Sequence, residues 1–330
     1  MKDYHLTLEE RILFKAYIAE GYNQSKVAQK LDRDKSTISR ELKKWGISGD
    51  LKISIKDYDP HLAHWFKIDG KAIVKKYECK LKRYPKLLKK VLLKLSKRWS
   101  PEQISNWLKK HYKNLKHFQV SHETIYNFIY KIANPNLKIQ LISCLRRAKK
   151  IRKTPKKRTK GSTIKDRVSI DCRPTEVDSR GEIGHWEGDL IIGLNKKNVI
   201  GTLVERKTRF TIIVKPKSKK SKDVVKAFVN AFKKIPAQYK KSLTYDNGTE
   251  MAQHKSFTKN TGMPVFFCHP YSSWERGTNE NTNGLIRDFW PKKTSFEALS
   301  NYAIKRVQKL LNDRPRKILN WCSPNELFVF

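Results

Sequence analysis

Three acidic side chains sit in stretches whose residue types could do phosphoryl chemistry: Asp189 in HWEGDLIIG, Asp246 in SLTYDNGTE and Glu280 in ERGTNENTNGLIR. Glu280, Asn283, Gly284 and Arg287 fall at i, i+3, i+4 and i+7, so they share one helix face. One carboxylate thus stands two turns ahead of one guanidinium. Asp189 lies beside Leu190, Ile191 and Ile192 in a run that should be buried, where a lone carboxylate is costly and needs a cation or hydrogen-bond donors. Asp246 ends a strand just ahead of Asn247-Gly248, a pair that turns sharply. Ligands of open α/β sheets bind at strand ends. If the first and fourth strands of the C-terminal half are neighbours, both aspartates meet at one rim, and Glu280 reaches it from its helix.

Three carboxylates inside a protein of net charge +41 make an oxygen-rich pocket. Hard divalent cations suit such a pocket: Mg²⁺, with Mn²⁺ as its substitute. Two such ions about 4 Å apart activate a nucleophile and stabilise the leaving oxygen of an in-line displacement. Taken singly, each acid has a structural reading: an Asx turn for Asp246, a structural acid at Asp189, a solvated helix face for Glu280. All three in this order and context favour the metal site.

The elements that must position these acids form an α/β pattern. IGHWEGDLIIG, NVIGTLVERKT and FTIIVKPKS are β-rich runs, and SKDVVKAFVNAFKKIP is an amphipathic helix with Ser221 as its cap. SLTYDNG and MPVFFCHP read as further strands, with the Glu280 helix and a last helix in SFEALSNYAIKRVQKLLNDRP behind them. The expected class is a mixed sheet flanked by helices.

The N-terminal half is helical. Thr7 and Glu10 make a capping box for a first helix over 6–20, which Gly21 ends. SKVAQKL and KSTISREL follow as two short helices around the turn DRD, with Val27, Ala28, Leu31, Ile38 and Leu42 inside. Lys35, Ser36, Thr37, Ser39 and Arg40 stay outside, the pattern of a helix-turn-helix whose last helix enters a major groove. Residues 84–132 repeat the logic. Ser100 caps PEQISNWLKKHY with Gln103 completing the box, and Ser121 caps HETIYNFIYKI. Ile125, Phe128, Ile129 and Ile132 face inward there; Ser121, His122, Thr124 and Asn127 are the candidate DNA contacts of this second unit. A plain helical packing domain is the alternative reading of these residues.

The charge decides between partners. A balance of +41 repels itself, so a polyanion is implied, and nucleic acid fits better than membrane because the basic residues are spread through the domains. No run of 18 apolar residues occurs, and the start lacks the apolar core of a signal peptide, so the expected location is cytoplasmic. The five cysteines are scattered and form no C-x-x-C pair, which argues against disulfides and a zinc site. The resulting division is a helix-turn-helix over 1–46, a connector over 47–83, a second helix-turn-helix over 84–135, a basic linker over 136–178, a catalytic domain over 179–313 and a tail over 314–330.

The chain resembles the insertion-sequence-30 family of bacterial DDE transposases. The resemblance is carried by KSTISREL (35–42), WSPEQIS (99–105), SHETIYNFIY (121–130), GHWEGDLIIG (184–193), YDNGTE (245–250), WERGTNENTNGLIRDFWPK (274–292) and LNDRPRKILNW (311–321). It implies an RNase H-like catalytic domain with Asp189, Asp246 and Glu280 as the acidic triad on two Mg²⁺ ions. The 33 residues between Asp246 and Glu280 suit the family. Arg287 matches the basic residue placed near the DNA; Asn281 and Asn283 match the motif without an assigned step. The resemblance also implies binding of terminal inverted repeats and target DNA, strand cleavage and strand transfer, a circular intermediate, a bacterial nucleoid-associated location, and a homodimer or larger assembly on DNA. Departures fall at 46–80 and at Met251, away from the acids. A non-catalytic regulator should have lost an acid, and none is lost. A structure-selective nuclease leaves two helix-turn-helix units unexplained.

Overall fold

Strand β2 (His185–Ile192) carries Asp189 through the middle of a six-stranded sheet. The computed structural model describes residues 5–44, 58, 60, 63–64, 79–133, 135–145, 164–194, 198–270 and 272–329. The chain divides into two compact units, Met1–Lys150 and Ile151–Phe330.

In the second unit β2 pairs antiparallel with β3 (Val199–Glu205), and β3 with β4 (Thr211–Val214). On its other side β2 runs parallel to β5 (Ser242–Tyr245), then β6 (Val265–Phe267) and the two-residue β1 (Val168–Ser169). The first and fourth long strands are therefore neighbours. Strand alternation sorts the side chains. Trp186, Leu243 and Tyr245 face the core that also holds Phe228 of the helix Ser221–Phe232 and Phe257 of the helix His254–Thr261. Ile191 faces the opposite core, with Leu285, Ile286 and Leu311. Period two then puts Glu187 and Asp189 on that second face of β2, and Asp246, one residue past Tyr245, on the same face of β5. Gly188 is required between them: a Cβ there would come within 2.7 Å of the Tyr245 ring.

The first unit begins with α1 (Leu8–Ala19), α2 (Gln24–Lys30) and α3 (Lys35–Lys44). The Thr7–Glu10 capping box is present. Val27, Ala28, Leu31, Ile38 and Leu42 are buried as expected. Beneath them Arg11 is wholly buried and bonds Glu41 at 2.9 Å, and Glu41 also accepts from Tyr58 at 2.9 Å. Further along come α4 (Pro85–Ser96), α5 (Pro101–His111), α6 (His122–Asn127) and α7 (Pro135–Cys144). The box of Ser100 and Gln103 caps α5, and Ser121 caps α6. Phe128–Ile132 continues α6 as a π-helical turn rather than an α-helix. Ile125, Phe128 and Ile129 are buried; the side chain of Ile132 lies outside the described residues.

Three expectations change. The stretch 136–178, read as linker, is only partly so: Leu137 and Leu141 of α7 enter the first core, while β1 joins the sheet and Ile164 and Val177 are buried. Spacing of i, i+4 in α7 gives an apolar face that the neighbouring basic residues mask. The connector 47–83 and the basic run 146–163 lie largely outside the described residues. The tail 314–330 is folded back. Phe328 stacks on Phe210 at 4.5 Å and meets Trp186 edge-on at 5.7 Å. Ser221 is the first residue of its helix, and Lys220 stands at the cap without a side-chain bond. Among the described residues no helix is long and apolar enough to cross a membrane, and Cys79, Cys144, Cys172, Cys268 and Cys322 are free thiols.

Candidate active site

The rim of the sheet is organised by a residue that spacing alone did not single out. Arg276 ends the 3₁₀ turn Ser273–Arg276 and opens α8 (Gly277–Phe289). Its Nη1 lies 3.5 Å from Asp189 Oδ1 and donates to the Gly188 carbonyl at 2.9 Å. Its Nη2 lies 3.2 Å from Asp246 Oδ2. One guanidinium thus spans the two aspartates that neighbouring parallel strands bring to one face.

Each carboxylate has further donors. Asp189 Oδ1 accepts the Leu190 N–H at 2.8 Å, and its Oδ2 accepts the Asn283 amide at 2.8 Å. Asp246 Oδ1 accepts the Gly248 N–H at 3.0 Å. A Cβ at Gly248 would come within 2.8 Å of that same Asp246 oxygen and closer still to Glu250 Oε2, so a side chain there would push on two carboxylates. Burial pushes the Asp189 carboxyl up to about 6; Arg276 pulls against this and the Asp246 charge adds to it. Burial also works against the Arg276 charge, yet Asp189 and Asp246 together raise its pKa above the usual value.

Below the rim, α8 is locked to the sheet by buried polar groups. The Asn279 N–H donates to Glu187 Oε2 at 2.8 Å. Its side-chain amide donates to the Glu187 carbonyl at 2.8 Å, and its oxygen accepts the Thr202 hydroxyl at 3.1 Å. The same hydroxyl lies 2.9 Å from Asn283 Oδ1. Glu187 is held in turn by Arg206 at 3.0 Å, a pair with almost no exposure on either side. These bonds fix the rotation of α8, and with it where Glu280 stands.

Glu280 is exposed, four residues after Arg276 and three before Asn283, both of which reach Asp189. Among the described residues no group of three or more His, Cys, Asp or Glu side chains is close enough to hold a metal ion. The structure therefore brings together two of the three expected acids and leaves the third on the adjoining helix face. The donor set still fits a hard divalent cation: two carboxylates converge from one face, and the space between them already takes a positive group.

The other expected residues take varied positions. Arg287 is half-buried and spends its guanidinium on the Ile192 carbonyl at 2.7 Å and the Pro291 carbonyl at 3.4 Å. Asn281 is exposed on the flank of α8 away from Asn283. Asn283 is half-buried against Asp189 and Thr202. In the first unit Lys35, Ser36 and Arg40 are exposed and Thr37 and Ser39 half-buried along α3. Ser121, His122 and Asn127 are exposed on α6, but the Ser121 and Thr124 hydroxyls lie 2.9 Å apart and serve each other in the cap. Reasoning from spacing missed Arg276, Asn279, Glu187, Arg206 and Thr202. Arg276 had a signal, since it lies at i−4 from Glu280; the others have none short of knowing which strand each faces.

Residues 2–44 match the helix-turn-helix domain family, and residues 179–273 match the integrase core domain family. The chain is 39% identical over 327 residues to transposase InsI of insertion sequence element IS30A from Escherichia coli, covering 98% of this chain and 83% of that protein. It is 42% identical to the transposase of insertion sequence element IS1086 from Cupriavidus metallidurans over 71% of this chain and 70% of that one. It is 34% identical to the transposase of insertion sequence element IS4351 from Bacteroides fragilis over 98% of this chain and 95% of that one. Among solved structures, the catalytic core domain of BIV integrase aligns with 44% of this chain and 94% of its own, at 17% identity and a TM-score of 0.35.

Proposed function

The chain belongs to the insertion-sequence-30 family of transposases, and from that membership we propose that Asp189, Asp246 and Glu280 are its acidic triad. An N-terminal helix-turn-helix and an RNase H-like integrase core make it a polynucleotidyl transferase acting on DNA. The finer reading rests on one observation: a single guanidinium, four residues ahead of Glu280, ties together two aspartates from neighbouring parallel strands.

In this reading Asp189 and Asp246 hold divalent cations, two Mg²⁺ ions or Mn²⁺ in their place, and Glu280 completes the set. Bound there, the cations supply Lewis-acid polarisation of the phosphodiester and lower the pKa of an attacking water. Asn283 and the Leu190 N–H orient Asp189, and the Gly248 N–H orients Asp246. Water forms the new O–P bond at the element end and the 3′-oxygen leaves as a hydroxyl. That hydroxyl then bonds to a target phosphorus as the target's own 3′-oxygen departs. No side chain is bonded to DNA at any stage, so no serine or tyrosine nucleophile is assigned. Lys35, Ser36, Thr37, Ser39 and Arg40 present the groove-reading face of α3 to the terminal inverted repeats, and Ser121, His122, Thr124 and Asn127 mark a second contact on α6. Synapsis of two ends calls for a homodimer or larger assembly on DNA.

Replacing Glu280 with Gln tests the triad. Strand cleavage of a duplex carrying the element end vanishes while binding of that end survives. Retained cleavage removes Glu280 from the active site.

A further inference from the structure

On the flank of α8 away from the two aspartates is a cavity of about 300 Å³, the lower end of the range for small-ligand clefts. Arg180, Arg209 and Arg316 line it, together with Thr278, Asn281 and Thr282, and no carboxylate does. Arg209 donates to the Thr278 hydroxyl, and Arg316 donates to the Leu311 carbonyl at 3.2 Å. Burial, and then the Arg180 charge, press the Arg209 guanidinium down to about 10, against the pull of Glu187 and Glu205 behind it. Among the described residues Arg180 has no hydrogen-bond or ion-pair partner. The first turn of α8, where the helix dipole is positive, opens beside the cavity without a side-chain cap. Arg180 and Arg209 also hold left-handed backbone, φ 55° and 63°, which arginine adopts at a cost that glycine would avoid.

Three arginines thus converge on a cavity that no carboxylate lines. We propose that this cavity is a phosphate site that grips a backbone phosphodiester of the DNA strand being processed. The ridge between cavity and acids consists of Gly277, Glu280, Asn281 and Gly284, all exposed. Two of the four have no side chain, and nothing lies within 4 Å of a Cβ built on Gly277. A strand laid over that ridge meets Asp189 and Asp246 on one flank and the arginines on the other. A helix is about 10 Å across, or about three steps of 3.4 Å along a strand, so the gripped phosphate lies within a few nucleotides of the cleaved bond. Arginine forks suit a phosphate with two free oxygens better than a lysine would. The inference rests on the acidic rim being the strand-cleaving site.

The test uses the full chain and a duplex bearing one element end, in which single phosphates near the cleavage point are replaced one at a time by neutral methylphosphonates. Binding is measured for the native protein and for Arg180→Gly, which removes the guanidinium while relaxing the left-handed backbone. The expected result is one position where the methylphosphonate weakens native binding severalfold but leaves Arg180→Gly unaffected. On unmodified DNA, Arg180→Gly also lowers the slope of log K against log salt by about 0.9. Equal losses for both proteins at every position overturn the proposal. So does Arg180-dependent binding of inorganic phosphate, followed by ³¹P NMR, with no methylphosphonate effect, which would mark a free-anion site. Binding is read independently of cleavage. Residual cleavage by Glu280→Gln would therefore sink the triad without touching this result, and the reverse also holds.

Discussion

The side-chain amide of Asn283 donates to Asp189 Oδ2 across 2.8 Å, while its own oxygen takes the Thr202 hydroxyl at 2.9 Å. A helix residue therefore fixes the rotamer of a strand carboxylate, using β3 as its backstop. Asn283→Ala leaves Oδ2 without that donor and Asp189 held through Oδ1 alone, by the Leu190 N–H and Arg276. Loss of such a supporting contact typically costs 10–100-fold at metal centres. The expected outcome is a drop of about that size in strand cleavage with element-end affinity unchanged. Wild-type cleavage rates in the variant would remove Asn283 from any orienting role.

Arg276 makes the two aspartates compatible when nothing else neutralises them. Removing it by Arg276→Ala leaves two carboxylates facing each other and the Gly188 carbonyl without its donor. Breaking a buried pair costs about 3–5 kcal/mol, and the half-exposed Asp246 discounts this to roughly 1–3 kcal/mol. A divalent cation binding the folded form should restore what was lost. The prediction is a lowered melting temperature in chelator and a larger Mn²⁺-induced rise than the native protein shows. Equal rises in both proteins mean that Arg276 and the cation do not share the aspartates.

Much of the architecture was legible because it rests on local rules. The capping pairs Thr7–Glu10 and Ser100–Gln103 are read three residues apart and form as such. Alternation in HWEGDLIIG fixes which face Asp189 occupies once β2 is a strand. Arg11 was not legible: it stands beside Ile12 and Leu13, which are exposed, while the charged residue is the buried one. Its reason is Glu41, 30 positions away. Glu187, Arg206 and Asn279 are hidden for the same cause, since each is explained by a partner on another element. The folded-back tail was missed because its anchor is one aromatic, Phe328, and a single residue has no period.

The pH dependence of stability is set in part by Asp189. Its carboxyl is raised from 3.8 to about 6 in the folded chain, so the folded form holds this proton more tightly than the unfolded form. That contribution is full below about pH 4 and is lost as pH rises through 6. At about 1.4 kcal/mol per unit, discounted because the side chain is 26% exposed, roughly 1–2 kcal/mol disappears across this window. Asp189→Asn has no such step. Denaturation midpoints measured in chelator at pH 4, 5, 6 and 7 should therefore diverge, with the variant gaining on the native protein as pH rises. Parallel curves would mean that Asp189 ionises freely.

Asn279 carries the heaviest structural duty on α8. It is wholly buried, and its amide and backbone bond Glu187 and the β3 residue Thr202 at once. Asn279→Ala leaves the Glu187 carbonyl without the amide donor and frees the Thr202 hydroxyl from one acceptor. Unsatisfied buried polar groups cost about 1–3 kcal/mol each, so the variant should lose roughly 2–4 kcal/mol of stability. Asn279→Asp should be worse, because a carboxylate would then face two carbonyl oxygens. Leu285→Ala, on the same helix but in the apolar core, should lose a similar amount. The two losses differ in their effect on the acids. Leu285→Ala keeps the hydrogen bonds that set the rotation of the helix, so at a temperature where both variants are folded its cleavage should stay near the native rate. Asn279→Ala should fall by an order of magnitude or more. Matched cleavage in two variants of matched stability would show that the Asn279 bonds hold the helix without aiming Glu280.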